Sequence, residues 1–386
     1  MDKIYDIIIV GSGPSGLSTA LYLDRFAPEF GFDTLILEKS RHPREKLCAG
    51  GILAEGENIL AKLDLDLKEV PHMDVDRALF NYEGRGLVAR FLNKKPIFRT
   101  VRRNEFDAWL AGKAKERGIE IREEISVKRV ESFEDYALVK TDQGDFRAKV
   151  VVGADGSNSI VRRAVEQNPG SHVGRALEVI ASPKNEENES VASFDFLVLP
   201  KGISGYVWDF PAKIDGKPMR CWGIYDSNAV KREGRTPLRQ VLADEMNEHG
   251  YRLEDYELKG HPIRWYEPTN TPAIPRVILV GDALGVDALL GEGISPALGY
   301  GKVAAQAILR AFEKNDFSFA GYKGRVLRSR LGGALWRRTF MAKLFYRLKS
   351  GRMQRIVWQR LGWLAGILGM IFVVGWEKKA NVGDKK

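Results

Sequence analysis

Cysteine is scarce in these 386 residues: there are two, Cys48 and Cys221. So small a number excludes a disulfide framework and suits a reducing compartment. Histidine is nearly as rare, at five. His42 and His72 stand beside proline turns without metal-ligand spacing, so they read as surface residues and no metal is expected. No internal repeat and no low-complexity linker is visible. Met1 lies almost against the first apolar run, which leaves no room for a cleaved signal peptide, and a cytoplasmic location is expected. Acid is missing from one long region. Lys323 to Trp376 holds twelve Lys or Arg and no Asp or Glu. The net charge of +9 therefore resides there, and the remainder is slightly acidic. That distribution argues against a nucleic-acid surface spread over the protein and for one specialised basic segment.

What the chain does have is concentrated first in Tyr5 to Lys39. Ile7 to Val10 is a short apolar run of the kind a strand buried on both faces shows. Gly11, Gly13 and Gly16 follow as G-x-G-x-x-G, and Leu17 to Leu23 continue with helical spacing. Thr34 to Leu37 is a second apolar run that ends in Glu38. Strand, glycine turn, helix, strand and acid together form a dinucleotide-binding fingerprint. Gly11 permits the tight turn, Gly13 lets backbone approach a pyrophosphate, and Gly16 lets helix and strand close up. Free N–H groups at the helix start attract the phosphates, and Glu38 can accept from both hydroxyls of an adenosine ribose.

Two further glycine turns follow buried strands, at Gly153-Ala154-Asp155-Gly156 and at Gly281-Asp282. In a twisted parallel sheet such turns converge at the carboxyl edge. Three stations on one edge suit one long ligand, and a flavin dinucleotide has that shape. Asp282 can accept from a ribityl hydroxyl. Asp155 is better suited to cap the helix that starts near Ser157. Gly291-Glu292-Gly293 leads into another helix from Ile294, whose positive end can face the flavin edge that becomes anionic on reduction.

The expected architecture is α/β: a Rossmann-type FAD-binding domain, an inserted antiparallel β substrate domain and a C-terminal helical region. The FAD-binding part is assigned to 1–75, 98–180 and 262–320, the β domain to 76–97 and 181–261, and the C-terminal region to 321–386. Helices are expected over Val101 to Glu116 and Leu238 to His249. In GYVWDFP, Tyr206, Trp208 and Phe210 alternate and share one face of a strand. They can wall an apolar tunnel or simply fill a core. Cys48 is either a small buried hydrophobe or a proton donor beside a flavin.

These motifs, GSGPSG with Glu38, Arg103 before EFDAWL, GADGSNSIVRR and GDALG…GEGI, resemble the aromatic-hydroxylase-type flavoproteins. Within that group, PREKLCAGG and GYVWDFP resemble the geranylgeranyl reductase family over roughly residues 4 to 310. The resemblance implies FAD as cofactor and reduction of C=C bonds in a geranylgeranyl or other polyprenyl lipid, with hydride from flavin N5. It further implies FAD contacts at Ser15, Glu38, Arg103 and Asp282, and at the backbone near Ala49, Gly51, Val127, Gly293 and Ile294. Cys48 matches the cysteine placed by the flavin, and Tyr206, Trp208, Phe210 and Pro211 match the prenyl-cavity signature; Cys48, Tyr206 and Trp208 are the candidate catalytic residues, with the proton coming from Cys48, Tyr206 or water. Ala49 stands where the family often has glycine. NAD(P)H or a ferredoxin-like protein is the expected electron donor; no second nucleotide fingerprint is visible. A monooxygenase or halogenase-like enzyme on the same fold is the rival, and a non-catalytic flavin or lipid-binding membrane protein is another.

In the C-terminal region, Leu335, Trp336, Phe340, Leu344, Phe345 and Leu348 recur at helical spacing among basic residues. Leu361 to Trp376 is almost wholly apolar. Sixteen residues of helix reach about 24 Å, short of a hydrocarbon core of about 30 Å. Peripheral or monotopic membrane association is therefore expected rather than a span. The alternative is a helical lid on the enzyme's own core.

Overall fold

The computed structural model describes residues 3–91, 95–166, 172–184, 189–230 and 234–379. Residues 380–386 of the expected C-terminal region lie outside them.

Its first sheet is built on the strand Ile4–Val10, whose Ile7, Ile8 and Ile9 are wholly buried. That strand pairs in parallel with Thr34–Leu37 on one side and Gly144–Gly153 on the other. Val277–Leu279 then pairs in parallel with Gly144–Gly153. The register sets Val10 opposite both Leu37 and Gly153, and Gly153 opposite Leu279. All four strands thus end level, and the three glycine turns and Glu38 emerge along one edge. The fold class expected from sequence is the one observed.

A second sheet of seven strands runs in the order Lys259–Arg264, Val173–Ala181, Lys217–Asp226, Gly205–Ile214, Val191–Asp195, Arg77–Tyr82, Arg85–Arg90. It is antiparallel except where Val191–Asp195 meets Arg77–Tyr82. Its alternation decides what faces the carboxyl edge of the first sheet. Tyr206, Trp208 and Phe210 point to one face of the sheet, while Val207 on the other packs with Trp222, Ile224 and the helix Leu238–Glu248. Trp208 lies opposite Gly223, where an added Cβ would fall 2.1 Å from the indole. The bare position makes room for the ring.

The helix expected from Val101 begins at Arg103, because Phe98–Val101 is taken up as a strand between Gly51–Leu53 and His72–Val75. The long helix Ile294–Lys314 packs across Pro14–Phe26, with Ser18 Oγ donating to the Leu298 carbonyl at 2.7 Å. The C-terminal region forms helices at Tyr322–Arg328, Arg330–Phe345, Gly351–Arg355 and Gly362–Phe372, with a π-helical turn at Ile356–Arg360. Its inner face, including Leu331, Leu335, Tyr346, Trp358 and Trp376, is buried on the body. Its outer face carries exposed Trp336, Phe340 and Leu344, and Gly362–Phe372 buries no residue. The region therefore has both characters, an inward cap and an outward apolar surface. No helix among the described residues is long and apolar enough to cross a membrane.

Candidate active site

The carboxyl edge of the first sheet and the aromatic face of the second enclose one cavity of about 520 Å3. Its walls include Gly11, Gly13, Ser15, Glu38, Val127, Asp282, Gly293 and Ile294 from the nucleotide-binding side. Cys48, Ala49, Gly51 and Arg103 line its middle, and Tyr206 and Trp208 its far end. Of the residues expected at the site, Gly16 does not line it. It sits behind the turn, where a Cβ would meet the Gly11 carbonyl at 2.1 Å, so it shapes the turn from inside.

At the near end Glu38 is buried and accepts from Ser12 N–H (2.9 Å), Ser12 Oγ (2.8 Å) and Ser40 N–H (3.1 Å). Burial alone would raise its carboxyl; Arg44 and the Ser12 and Ser40 donors outweigh that and hold it below the usual range. Arg44 bridges Glu38 (3.5 Å) and Asp107 (3.2 Å), and Arg103 grips Asp107 through two bonds of 2.8 Å. His42 is a correction to the sequence reading. It is half-buried, with Nε2 2.7 Å from Ser12 Oγ, because its loop folds back over the first glycine turn.

The cavity fits an FAD on two counts. The helices Pro14–Phe26 and Ile294–Lys314 start at Gly13 and Gly293, and neither start is capped by a side chain. Both open into this one cavity, so their orphan N–H groups are offered to a ligand. Gly11 stands at φ +104°, and a Cβ there would lie 2.5 Å from the Ala154 carbonyl, so the first and second turns touch through bare backbone. Asp155 supports the start of the helix Ile160–Val165, whose N-cap is Ser159: its carboxylate accepts from Ser159 Oγ, Ile160 N–H (2.6 Å) and Val161 N–H (3.2 Å).

In the middle, the Cys48 Sγ accepts from Gly50 N–H at 3.3 Å, and Cys48 N–H donates to Glu178 at 3.3 Å. Gly50, not Ala49, takes the left-handed conformation (φ +81°), and a Cβ there would fall 1.9 Å from the Val101 carbonyl. The loop's shape thus rests on Gly50, and alanine at 49 is accommodated. Burial raises the Cys48 thiol, although Arg103 pulls it back. Burial also raises Glu178 to about 6.

At the far end three tyrosines hold three successive carbonyls. Tyr225 donates to Ala288 (3.3 Å), Tyr346 to Leu289, and Tyr206 to Leu290 (2.5 Å). The Tyr206 hydroxyl proton is therefore engaged by backbone, and burial pushes its pKa far up. Its place in the structure is that of a wall and a clasp. Phe194, Trp208 and Phe210 complete the apolar wall.

Four contributors stayed hidden in the sequence reading. Lys46 lies in PREKLC, where a charge between a proline and two glycines is the local signal. His261 and Glu178 project from strands of the second sheet, and no local pattern marks them. Arg338 sits in the acid-free region yet is buried against Asp287 and Glu292.

This geometry and the comparisons with known proteins define an FAD-dependent oxidoreductase. The profile of the FAD binding domain family matches residues 4–201. The chain belongs to that family. It is 26% identical to digeranylgeranylglycerophospholipid reductase 2 of Methanopyrus kandleri, over 90% of this chain and 86% of that protein. It superposes on a geranylgeranyl bacteriochlorophyll reductase-like protein of Thermoplasma acidophilum with a TM-score of 0.75 at 23% identity, covering 92% and 90% of the two chains. The halogenase PltM shares the fold at a TM-score of 0.70 and 17% identity, with 96% and 82% covered. The resemblance to geranylgeranyl reductases, read first from the motifs, agrees with these relatives.

Proposed function

We propose that this enzyme reduces C=C bonds in a polyprenyl lipid. The observation that carries the reading is the aromatic far end of the cavity, opening directly onto Cys48 and the Gly293 helix start. Tyr206 is clasped to the Leu290 carbonyl and Trp208 presents only an N–H, so the aromatic wall suits a hydrocarbon chain. The names of the archaeal relatives point to the same substrate class.

Bound FAD, once reduced, supplies the hydride. The chain's own residues do the rest. Gly11, Gly13, Ser15, Glu38, Arg103 and Asp282 hold the dinucleotide, with backbone at Ala49, Gly51, Val127, Gly293 and Ile294. Tyr206, Trp208 and Phe210 keep the alkene close and water out. An isolated alkene is a poor electrophile, so positioning and a dry wall must carry much of the barrier reduction. Cys48 donates the proton to the carbon that does not take hydride. NAD(P)H or a ferredoxin-like protein provides the electrons.

The exposed apolar face of Gly362–Phe372 and the basic segment before it support peripheral docking on an anionic membrane, from which the lipid slides in. The test is mass spectrometry of a geranylgeranyl glycerophospholipid incubated with dithionite-reduced holoenzyme. A gain of two hydrogens per reduced bond is expected. Unchanged lipid overturns the reading, and product carrying oxygen under air places the enzyme with the halogenase-like and monooxygenase users of this fold.

A further inference from the structure

The Lys46 ammonium lies 2.5 Å from Nε2 of His261, across the seam between the loop after Glu38 and the strand Lys259–Arg264. Among the described residues, no carboxylate lies within ion-pair distance of it. Lysine at a seam normally meets an acid. Lys259 does so two residues away on the same strand, at 2.9 Å from Glu45. At Lys46 two nitrogens face each other instead. At hydrogen-bond distance one nitrogen donates and the other accepts; two protonated nitrogens would repel, so an ammonium at Lys46 faces a neutral imidazole.

Both residues line the cavity that holds Cys48. The charged groups felt by Lys46 are Asp282, Arg103, Arg44 and Cys48 itself; those felt by His261 are Lys46, Asp282, Arg103 and Lys39. Around the thiol stand Arg103, Glu178 and Lys46, with the Gly50 N–H on sulfur. Burial brings Lys46 down to about 8, where an ammonium gives up a proton readily. Burial and the neighbouring ammonium lower His261 as well.

We propose that the Lys46–His261 pair is the proton reservoir that recharges Cys48 after each turnover. The inference rests on Cys48 being the proton donor in the reading above. When hydride from the reduced flavin enters one alkene carbon, the Cys48 S–H bond breaks and its proton forms the new C–H bond at the other. Sulfur keeps the electron pair as thiolate. An N–H of Lys46 then breaks, directly or across one water, and its proton reforms S–H. The amine left behind regains its proton from solvent, while His261 Nε2 keeps accepting from another N–H of Lys46 and holds the nitrogen in place. Two electrons leave the flavin and one proton leaves solvent for each pass through Cys48. Lys46 and Arg103 hold the thiolate in the meantime.

The test uses FAD-loaded full-length protein, with FAD content checked by absorbance in every variant. In K46Q, lipid reduction should show a burst of about one bond per enzyme and then a steady rate at least tenfold lower. H261Q should slow the steady phase less and move the pH profile. K46R keeps the charge but releases its proton poorly, so it should keep the burst and not restore the steady rate. Ethylamine should partly restore K46A. Independently of the lipid reaction, iodoacetamide alkylation of Cys48 at pH 8, followed by peptide mass, should slow about tenfold in K46Q and recover in K46R. Unchanged steady-state rate and pH profile in FAD-loaded K46Q would overturn the reservoir. Full turnover in Cys48→Ser would instead remove the proton donor it serves, a failure that the alkylation result distinguishes.

Discussion

The guanidinium of Arg338 donates to the Glu292 carboxylate at 2.6 Å, deep in the protein, with 1% of the arginine side chain exposed. Arg338 belongs to the C-terminal helix Arg330–Phe345, and Glu292 stands between the two glycines that lead into Ile294–Lys314. Arg338 also reaches Asp287 at 3.5 Å and the Val373 carbonyl. One side chain thus ties the C-terminal helices to the Gly291-Glu292-Gly293 turn that lines the cavity. Replacing it by glutamine leaves two buried carboxylates uncompensated, at an expected cost of about 3–5 kcal/mol. Urea unfolding of holoenzyme checks this. FAD should also be lost more readily, and E292Q in the same chain should recover part of the stability.

Asp282 projects into the cavity, and its Oδ2 accepts from Ser157 Oγ at 3.1 Å. D282A should weaken FAD binding at least tenfold, the value of one charge-assisted hydrogen bond of about 1.5 kcal/mol. Fluorescence titration of apoprotein measures it. Equal affinity would move the ribityl chain away from this residue.

Glu245 and Asp195 are two buried acids on the far side of the second sheet. Burial, then the neighbouring Asp195, raises Glu245 to about 7. Its folded value therefore exceeds its unfolded one. A raised carboxyl favours the folded state least once it must ionise, so stability falls as pH climbs from about 4.5 through 7. E245Q should be more stable than the parent at pH 8, by up to about 3 kcal/mol, and nearly equal at pH 4.5. Thermal unfolding at the two pH values reads the sign directly.

Trp363 and Met370 are 64% and 62% exposed on the helix Gly362–Phe372. If that face meets lipid, W363S with M370S should cut binding to phosphatidylglycerol vesicles at least tenfold and leave FAD content unchanged. Sedimentation with vesicles measures it, and on the same reading high salt should weaken the parent's binding, by screening the basic segment from anionic headgroups. Undiminished sedimentation of the double variant would assign the face to another contact.

The nucleotide-binding edge was legible because its signals are local. A buried strand, a glycine turn, a helix and an acid lie within thirty-five consecutive residues, and each is imposed by short-range sterics or capping. The same holds for the alternation of Tyr206, Trp208 and Phe210. Boundaries were less legible: Val101 carries helical spacing forward from Arg103, but pairing with Gly51–Leu53 and His72–Val75 claims it for a strand.

By itself, then, the order of residues determined the dinucleotide-binding edge and the shared face of Tyr206, Trp208 and Phe210, since those depend on turn chemistry, the bare backbone of glycine and periodicity; the family was legible only through the resemblance of whole motifs. Tertiary structure alone decided the partnerships. Arg338 with Glu292, Lys46 with His261 and Glu178 with Cys48 join positions 46, 215 and 130 residues apart. Nothing short-range couples such pairs. Only the docking of the C-terminal helices on the body, and of the loop after Glu38 on the second sheet, removes water from between them, and burial is what turns an ordinary surface charge into a clasp or a proton source.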